Sequence, residues 1–237
     1  MSLTTWIVAV STSTFAYLYL LHRSLKNGLE HEHFRGPLSN LSNSPSSLNF
    51  NSMTTIPPDI SKASHDCLYE KVTRRVPRQL LPTTHQPSDL LNILLRRNMA
   101  AFAYFPQAYM LWILSGSGSR ATFKPSRIRS LDFQRGDIIC GIYRVAERRP
   151  TSVEFEICSP HGGGEVEGRL LLRFWDEAKE VVFASECVLW ITTADGSSLQ
   201  EKMPLRNPVW RFFHELASWW LLDSGVRYLI DLSMDEE

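Results

Sequence analysis

The sequence predicts an α+β fold in which an antiparallel sheet wraps around a long C-terminal helix. After Arg120 the hydrophobic period changes from about 3.6 residues to about 2, which indicates a helical region followed by strands. Short turns separate these strands, as is typical of neighbouring antiparallel strands. A tryptophan-rich segment with helical spacing then ends the chain. The 237 residues suffice for one core of ordinary size with additional segments.

Near the N-terminus, residues 4–21 read TTWIVAVSTSTFAYLYLL, contain no charged side chain and predict a transmembrane helix. Such a helix would be about 27 Å long, close to the roughly 30 Å hydrocarbon core of a bilayer. Arg23 and Lys26 follow it, so residues 1–26 are expected to form a single-pass anchor, with the remaining chain in the cytosol at the endoplasmic reticulum. A cleaved signal peptide is disfavoured because the positive charges come after the apolar run. A buried core helix is disfavoured because the run lacks a polar face.

Residues 27–60 are rich in Ser, Asn and Pro and predict a flexible linker, because such a composition buries little apolar surface. His31 and His33 flank Glu32 within it, which would permit a metal site, although a solvated linker is the simpler interpretation. The remainder of the chain, residues 61–237, is then expected to form the α+β domain.

The domain begins with apolar residues at helical spacing. Residues 61–77 are ambiguous: their apolar residues have roughly helical spacing, which prolines limit. Residues 88–105 predict a longer helix with Ser88 as its N-cap. Pro106 interrupts this pattern, and a second apolar run continues to the sequence SGSGS. The whole uncharged stretch, residues 99–114, is short and contains a proline. Burial against a sheet is therefore favoured over a membrane-dipping hairpin, which stays an alternative.

Alternating apolar residues predict four strands, at 138–145, 152–158, 166–175 and 181–192. Residues 176–179 form a hairpin turn between the last two strands, and residues 122–124 are expected to add an edge strand. The terminal helix is predicted from Pro208 to about Leu222, with Gly225 as its end and one or two further turns after it.

The sequence His161-Gly162-Gly163-Gly164 lies between the second and third predicted strands. Such a loop builds the oxyanion hole of lipases and esterases, whose fold alternates strands with helices and carries a G-x-S-x-G turn. This chain has no G-x-S-x-G sequence, and its strands follow one another directly. The glycines are therefore interpreted as a turn that requires positive φ angles.

The composition disfavours several functional classes. Lysine plus arginine and aspartate plus glutamate both total 25, so neither nucleic acid nor acidic lipid is expected as a partner. The four cysteines form no CxxC pair and have no histidine at ligand spacing, so no zinc site is expected, while a disulfide stays open. No nucleotide-binding loop or nucleophile triad is present, and no cofactor is predicted. The cysteines are Cys67, Cys140, Cys158 and Cys187.

Three stretches carry a resemblance to a known superfamily: GDIICGIYRV, GRLLLRFWDEAKEVVFASECVLW and NPVWRFFHELASWWL. They resemble the helix-grip fold of the START and birch-pollen-allergen superfamily, over roughly residues 90–229. The resemblance implies a curved sheet around the last helix, with a cavity between them that binds apolar ligands. It also implies that cyclisation chemistry in natural-product pathways is among the functions to consider.

The order of anchor, tether and domain resembles small accessory proteins of fungal polyketide–nonribosomal peptide pathways, which implies a role in ring closure. The expected function is thus that of a membrane-anchored small-molecule-binding protein, acting as a cofactor-independent cyclase or isomerase on a polyketide- or peptide-like ligand. The alternative is a non-catalytic carrier of an apolar ligand, or the stabilising subunit of a heteromeric membrane enzyme. The latter would require a protein partner.

Four polar residues are candidates for catalysis. His214 lies next to the apolar face of the terminal helix and could act as a general base near neutral pH, or sit at the rim bonded to a carbonyl. Arg173 could hold a carboxylate or enolate, or face solvent. Glu186 has apolar neighbours on both strand faces, which allows either a buried carboxyl or a surface pair with Arg173. Tyr143 could donate a hydrogen bond inside the cavity, or be an ordinary core tyrosine.

Aromatic residues are the candidates for ligand binding, as expected for an apolar cavity. The tryptophans of the terminal helix could instead contact a membrane interface or a protein partner. The candidates are Trp210, Phe213 and Trp220 on the terminal helix, and Phe183 and Trp190 on the last predicted strand.

Overall fold

The computed structural model describes residues 2–38, 52–62, 66–158, 166–191, 205 and 207–235. Their strands form one antiparallel sheet of seven strands in the order β1-β2-β7-β6-β5-β4-β3. The strands are β1 (Glu30–Pro37), β2 (Asp66–Pro77), β3 (Ile138–Ile139), β4 (Tyr143–Arg149), β5 (Ser152–Ile157), β6 (Val166–Glu177) and β7 (Glu180–Ile191). The predicted α+β class, with an antiparallel sheet and a C-terminal helix, is confirmed.

The α-helices among the described residues are α1 (Leu3–Gly28), α2 (Pro58–Lys62), α3 (Pro87–Phe102), α4 (Pro106–Leu114), α5 (Pro125–Arg129) and α6 (Pro208–Met234). Both α3 and α4 begin with a proline in the first turn. Proline lacks an N–H group, and N–H groups at this position have no hydrogen-bond acceptor within the helix, so none is lost. The N-cap of α3 is Gln86, without a side-chain bond, instead of the expected Ser88. Asn207 caps α6 through its side-chain oxygen, which accepts from the N–H groups of Val209 and Trp210.

The predicted strands are largely present, and two details near the first of them are wrong. Residues 138–145 form two strands joined by a turn, because Cys140 and Gly141 both have positive φ angles, of 49° and 69°. Residues 122–124, expected at a sheet edge, belong mostly to a 3₁₀ helix over Arg120–Phe123. The loop between β6 and β7 is two residues long, with Ala178 at a φ of 55°.

The HGGG sequence, residues 161–164, lies outside the described residues.

Two strands come from segments that were not expected to contain any. Residues 30–37, placed in the linker, form the edge strand β1. Residues 66–77, whose pattern is ambiguous with a helical look, form β2. Only Pro58–Lys62 of that region is a helix. Strand β2 is long and pairs with β7 over its full length, so tertiary pairing overrides the weak helical spacing of its apolar residues.

One face of the sheet packs against α3 and α6 to form the main core. Strand alternation places Val72, Phe155, Leu172 and Phe183 on this face, where they meet the apolar stripe of α3. Helix α6 lies over β2 and β7, between α3 and the C-terminal end of α1. This arrangement places the terminal helix against the second and third strands of the sheet, near its β1 edge.

The other face of the sheet is covered by residues 52–60. Met53 and Ile60 are buried there with Leu171, Val188 and Trp190. Part of the segment that the composition assigns to a flexible linker therefore packs on the domain as a second layer. Burial of these apolar side chains against the sheet offsets the entropy of ordering the segment.

The expectation of a single-pass membrane protein is contradicted. No helix within the described residues has both the length and the hydropathy needed to span a membrane. The hydroxyl residues in the middle of α1 lower its hydropathy, and the Thr14 hydroxyl bonds to the Val10 carbonyl. The C-terminal part of α1 belongs to the domain, because Leu25 is buried in the main core and Leu21 packs against it.

Helix α6 continues through Gly225, which was expected to end it. Gly225 is buried where α6 meets α3, and an added Cβ would collide with the Asn98 amide. The glycine therefore permits close approach of the two helices, and the tertiary contact outweighs its low helix propensity.

We expect Gly225→Ala to lower the free energy of unfolding by about 1–3 kcal/mol, because the methyl group must displace Asn98 or separate the helices. Urea denaturation measures this difference. Gly28→Ala is the matched control, since that glycine is also helical and has open space around it. Equal effects of the two substitutions would contradict the assigned role of Gly225.

Candidate functional site

A small cavity lies between α6, α3 and the sheet, and we call it the sheet–α6 cavity. Its volume is about 80 Å³. Pockets that enclose a whole drug-sized ligand typically measure roughly 300–1,000 Å³, so this cavity has room for a small group. It is lined by Asn98, Met99, Phe102, Tyr143, Leu170, Leu172, Ser185, Cys187, His214, Ala217, Ser218, Leu221 and Leu222.

The regular spacing of each element explains this lining. Residues 214, 217, 218, 221 and 222 of α6 recur every three or four positions, which places them on one side of the helix, towards the sheet. On β7, Ser185 and Cys187 are two positions apart and therefore share the face that meets α6. Most of the other residues that line the cavity are apolar, so its few polar groups are the candidates for contacts with a polar part of a ligand.

His214 forms the main polar interaction of this region. Its Nε2 lies 3.0 Å from Oε2 of Glu70, which comes from β2. Glu70 is the register partner of Cys187 on β7, so the sheet carries this carboxylate to the edge of the cavity. Both side chains are partly buried, with 31% and 17% of the side-chain surface exposed. The arrangement is a carboxylate-bound histidine at an apolar cavity.

Electrostatics favours the ionised form of Glu70. Burial alone would raise the pKa of this carboxyl, but the hydrogen bond and charge of His214, with smaller contributions from His33 and Arg35, hold it below its ordinary value of 4.5. The carboxylate is thus available to accept a hydrogen bond from the imidazole N–H. A carboxylate in this position fixes the orientation of the ring.

A second cavity of about 80 Å³ adjoins the first on the side of β1, and we call it the β1-side cavity. Both cavities are lined by Ser185, Cys187 and Ser218. His214 lines the sheet–α6 cavity, whereas Glu70 lines the β1-side cavity. The histidine–carboxylate pair therefore extends from one cavity to the other.

Aromatic and histidine rings close the β1-side cavity from outside. His22 of α1 lies 4.6 Å from the Trp219 ring, and its Nε2 lies 3.1 Å from Oε2 of Glu215. His31 of β1 lies 5.2 Å from the same tryptophan. The end of α1 and the start of β1 thus form one wall of the site. No group of three or more potential metal ligands occurs among the described residues, His31 and His33 included.

The remaining titratable groups of the sheet–α6 cavity are held in their neutral forms. Burial raises the pKa of Tyr143, with small contributions from Cys187 and Cys140. Burial also raises the pKa of the Cys187 thiol, and nearby Glu70 acts in the same direction. A thiolate nucleophile is therefore disfavoured here. Burial therefore keeps the Tyr143 hydroxyl protonated.

Glu186 and Arg173, both candidates for catalysis, lie on the opposite face of the sheet. The Glu186 side chain is fully buried and accepts hydrogen bonds from Arg173 Nε at 2.7 Å, Tyr69 Oη at 2.9 Å and Ser52 Oγ at 3.0 Å. Residues 52–60 cover this group. Because successive residues of a strand point to opposite faces, Glu186 cannot share a cavity with Ser185 and Cys187.

The bonds of Glu186 indicate a structural role. Burial and the charge of Glu186 raise the pKa of Tyr69, which keeps this hydroxyl a donor. Three donors compensate for the desolvation of the buried Glu186 carboxylate. Removal of one of them would strongly destabilise the folded protein, because it leaves a buried charge uncompensated. Arg169 behaves similarly, because its guanidinium bonds to Thr55 and lies over the Trp190 ring.

The structure brings together few of the predicted ligand-binding residues. It describes all five, and none of them lines the sheet–α6 cavity. Phe183 packs against Phe174 in the main core, and Trp190 is buried on the opposite face. Trp220 contacts Phe105, and Trp210 is largely exposed. Phe213 contacts Phe212 near the start of α6.

Several site residues were not found from the sequence. Glu70 lies in a segment whose sequence pattern is ambiguous. Asn98, Ser185, Cys187 and Ser218 were likewise given no functional role. A strand interpretation of residues 66–77 would have paired Glu70 with the polar positions of β7. The pattern contains little sign of this, since Cys67, Leu68 and Tyr69 are buried in succession, on both faces of the sheet.

No protein-family model matches the chain, and no curated protein matches its sequence. Two solved structures of CalU16 from Micromonospora echinospora are similar to it. The crystal structure has 12% sequence identity and a TM-score of 0.32, and the alignment covers 87% of this chain and 98% of CalU16. The solution structure has 10% identity, a TM-score of 0.31, and coverage of 82% and 74%. These scores are too low to establish a common fold or function.

The Glu70–His214 pair predicts a defined pH dependence of stability. The folded-state pKa of Glu70 lies below 4.5, so the stabilisation is present above that pH and is lost as the pH falls through the folded-state value. Glu70→Gln should therefore be less stable than the natural protein at pH 6, and the difference should shrink below about pH 4. Urea denaturation at each pH measures this. In a His214→Gln background the pH-dependent part should be much smaller, and an unchanged dependence would contradict the pairing.

Proposed function

We propose that the protein binds an apolar small molecule at the sheet–α6 cavity and promotes its cyclisation or isomerisation without a cofactor. The observation that supports this most directly is the Glu70–His214 pair beside a cavity lined mainly by apolar side chains. The volume of about 80 Å³ favours a ligand that inserts one small apolar group, with its remainder in the open part of the site.

The pair has the requirements of a general base. Glu70 binds Nε2 of His214, and Nδ1 has no hydrogen-bond partner among the described residues. A carboxylate that accepts from Nε2–H leaves Nδ1 with the lone pair, so Nδ1 is the atom that would accept a proton from the ligand. Tyr143, kept protonated by burial, would donate a hydrogen bond to a carbonyl or enolate oxygen.

The proposed reaction class follows from these two groups. Removal of a proton beside a carbonyl, with an O–H donor for the resulting enolate, is a step common to isomerisations and to many ring closures. Cavity shape would hold the folded conformer of the ligand. A helix-grip architecture and a place in secondary metabolism, including the fungal pathways named above, are consistent with this chemistry and rest on the sequence resemblance.

A second candidate function is that of a subunit or carrier without its own catalysis. Residues 6–20 of α1 favour a protein partner, because large apolar side chains of this part of the helix are exposed. Trp6, Phe15, Tyr17, Tyr19 and Leu20 all have more than half of their surface accessible. An apolar helix in this state is stabilised when another protein covers it.

Ligand binding can be tested with the neutral fluorescent probe N-phenyl-1-naphthylamine. Ala217 is buried and lines the cavity, so Ala217→Leu should fill the space and weaken probe binding about tenfold. Ala16→Leu is the matched control, since Ala16 is exposed on α1 far from the cavity lining. The site assignment is wrong if both variants bind the probe as the natural protein does.

Catalytic competence can be tested by the Kemp elimination of 5-nitrobenzisoxazole, an apolar substrate that requires a general base. His214→Gln should lower kcat about 10²-fold, and Glu70→Gln should lower it less and shift its pH profile. Ala217→Leu should mainly raise KM. Probe binding without any His214-dependent turnover would support the carrier or subunit instead of the enzyme.

A further inference from the structure

A second concave surface lies on the side of α3 that faces away from the sheet–α6 cavity. It has a volume of about 540 Å³ and is formed by α3, α5 and α6, and we call it the arginine groove. Its α3 residues recur at three- and four-residue spacing and so form one helix face. The groove is lined by Ile93, Arg96, Arg97, Ala100, Ala101, Tyr104, Arg129 and Tyr228.

Arg97 is a partly buried cation whose contacts are all uncharged. Its Nη1 donates to Asn98 Oδ1 at 3.1 Å and to Ser224 Oγ at 2.8 Å. Its guanidinium lies 5.0 Å from the centre of the Trp220 ring. Burial lowers the pKa of Arg97, and no carboxylate among the described residues offsets this. A guanidinium that is positioned but not neutralised is suited to bind an anion.

Two further arginines leave the groove with excess positive charge. Arg96 donates to Asp132 Oδ1 at 2.7 Å and to the Leu131 carbonyl at 2.8 Å. Arg129 is exposed and makes no hydrogen bond or ion pair within the described part of the chain. Of the three guanidinium groups, only that of Arg96 therefore has a carboxylate partner in the described structure.

The sequence that contributes α3 and α5 to the groove also carries excess positive charge. Although the whole chain is electrically balanced, residues 90–136 contain a single acidic residue, Asp132, and seven basic ones. These are Arg96, Arg97, Arg120, Lys124, Arg127, Arg129 and Arg135. This stretch of the chain, which contributes α5 and most of α3 to the groove, thus carries excess positive charge, which favours the approach of anions.

The rest of the groove is apolar or aromatic. Ala100 is buried at its floor beside Ile93, and the rings of Tyr104 and Tyr228 are exposed, by 72% and 41%. Small floor residues leave room for a ring or alkyl group, and the phenols offer stacking surfaces and O–H donors. Inorganic ions alone would leave this apolar part unused.

We propose that the arginine groove is a binding site for a small organic anion, a carboxylate or phosphate ester that carries an aromatic or aliphatic group. The anionic end binds between Arg97 and Arg129, which lie on different helices, and the apolar part rests on the floor between the tyrosines. This site is separate from the sheet–α6 cavity, so it does not depend on the function proposed above.

Isothermal titration calorimetry of the full chain at low ionic strength tests this proposal. Phenyl phosphate and benzoate are the probes for the two anion classes, benzyl alcohol is the neutral analogue, and inorganic phosphate lacks the ring. We expect saturable binding of at least one aromatic anion, tighter than that of inorganic phosphate and of benzyl alcohol. The tighter of phenyl phosphate and benzoate identifies the class of the anion.

Two variants distinguish binding at the arginine groove from nonspecific attraction to positive surface charge. Arg129→Gln should weaken the preferred anion about tenfold, since one charge-assisted hydrogen bond is lost. Arg127→Gln is the matched control, because it removes the same charge from the same short helix but does not line the groove. Its effect should stay below about twofold. Among the described residues Arg129 has no hydrogen-bond or ion-pair partner to lose, and a thermal melt verifies that both variants are folded.

The proposal is overturned if neither anion binds saturably, or if benzyl alcohol binds as tightly as they do. It is also overturned if Arg127→Gln weakens binding as much as Arg129→Gln, because the attraction would then be diffuse. Loss of anion binding in Arg129→Gln with unchanged N-phenyl-1-naphthylamine binding would support a site independent of the sheet–α6 cavity.

Discussion

Strand β7 is an interior strand, the third of seven in the sheet order, and it is buried on both faces along nearly its whole length. Apolar side chains on both faces require a layer on each side, because neither can be left to solvent without losing the main driving force of folding. Helices α3 and α6 supply one layer, and residues 52–60 supply the other. The same constraint places the polar residues of β7 in two different environments.

Those two environments explain why similar residues have different roles. On the face covered by residues 52–60, Glu186 is buried and accepts hydrogen bonds from three donors, so it contributes to the stability of the fold. On the α6 side, Ser185 and Cys187 border cavities, and Glu70 from the neighbouring strand reaches His214. In the proposed function the imidazole that Glu70 orients accepts the proton, whereas Glu186, which already has three donors, has no such role.

Helix α3 also has two different faces, one that contacts the cavity and one that carries positive charge. Helix α3 places Asn98, Met99 and Phe102 at the sheet–α6 cavity and turns its two arginines to the opposite side. A net charge of zero conceals this segregation, since the acidic residues that balance the total lie elsewhere in the chain. The two proposed sites therefore lie on opposite sides of one helix, whose packing against α6 depends on Gly225.

The sequence by itself determined the α+β class, four strands and the long terminal helix, because strong periodicity and turn residues act locally. It also predicted two polar candidates: His214 beside the apolar face of the terminal helix, and Tyr143 on the first predicted strand. Tertiary structure alone decided that residues 30–37 and 66–77 are strands, that α1 joins the domain, and which face each candidate occupies. Strand pairing joins residues far apart in the sequence, and a shift of one position exchanges the two faces, so no local pattern could place Glu70 beside His214 or separate Glu186 from it.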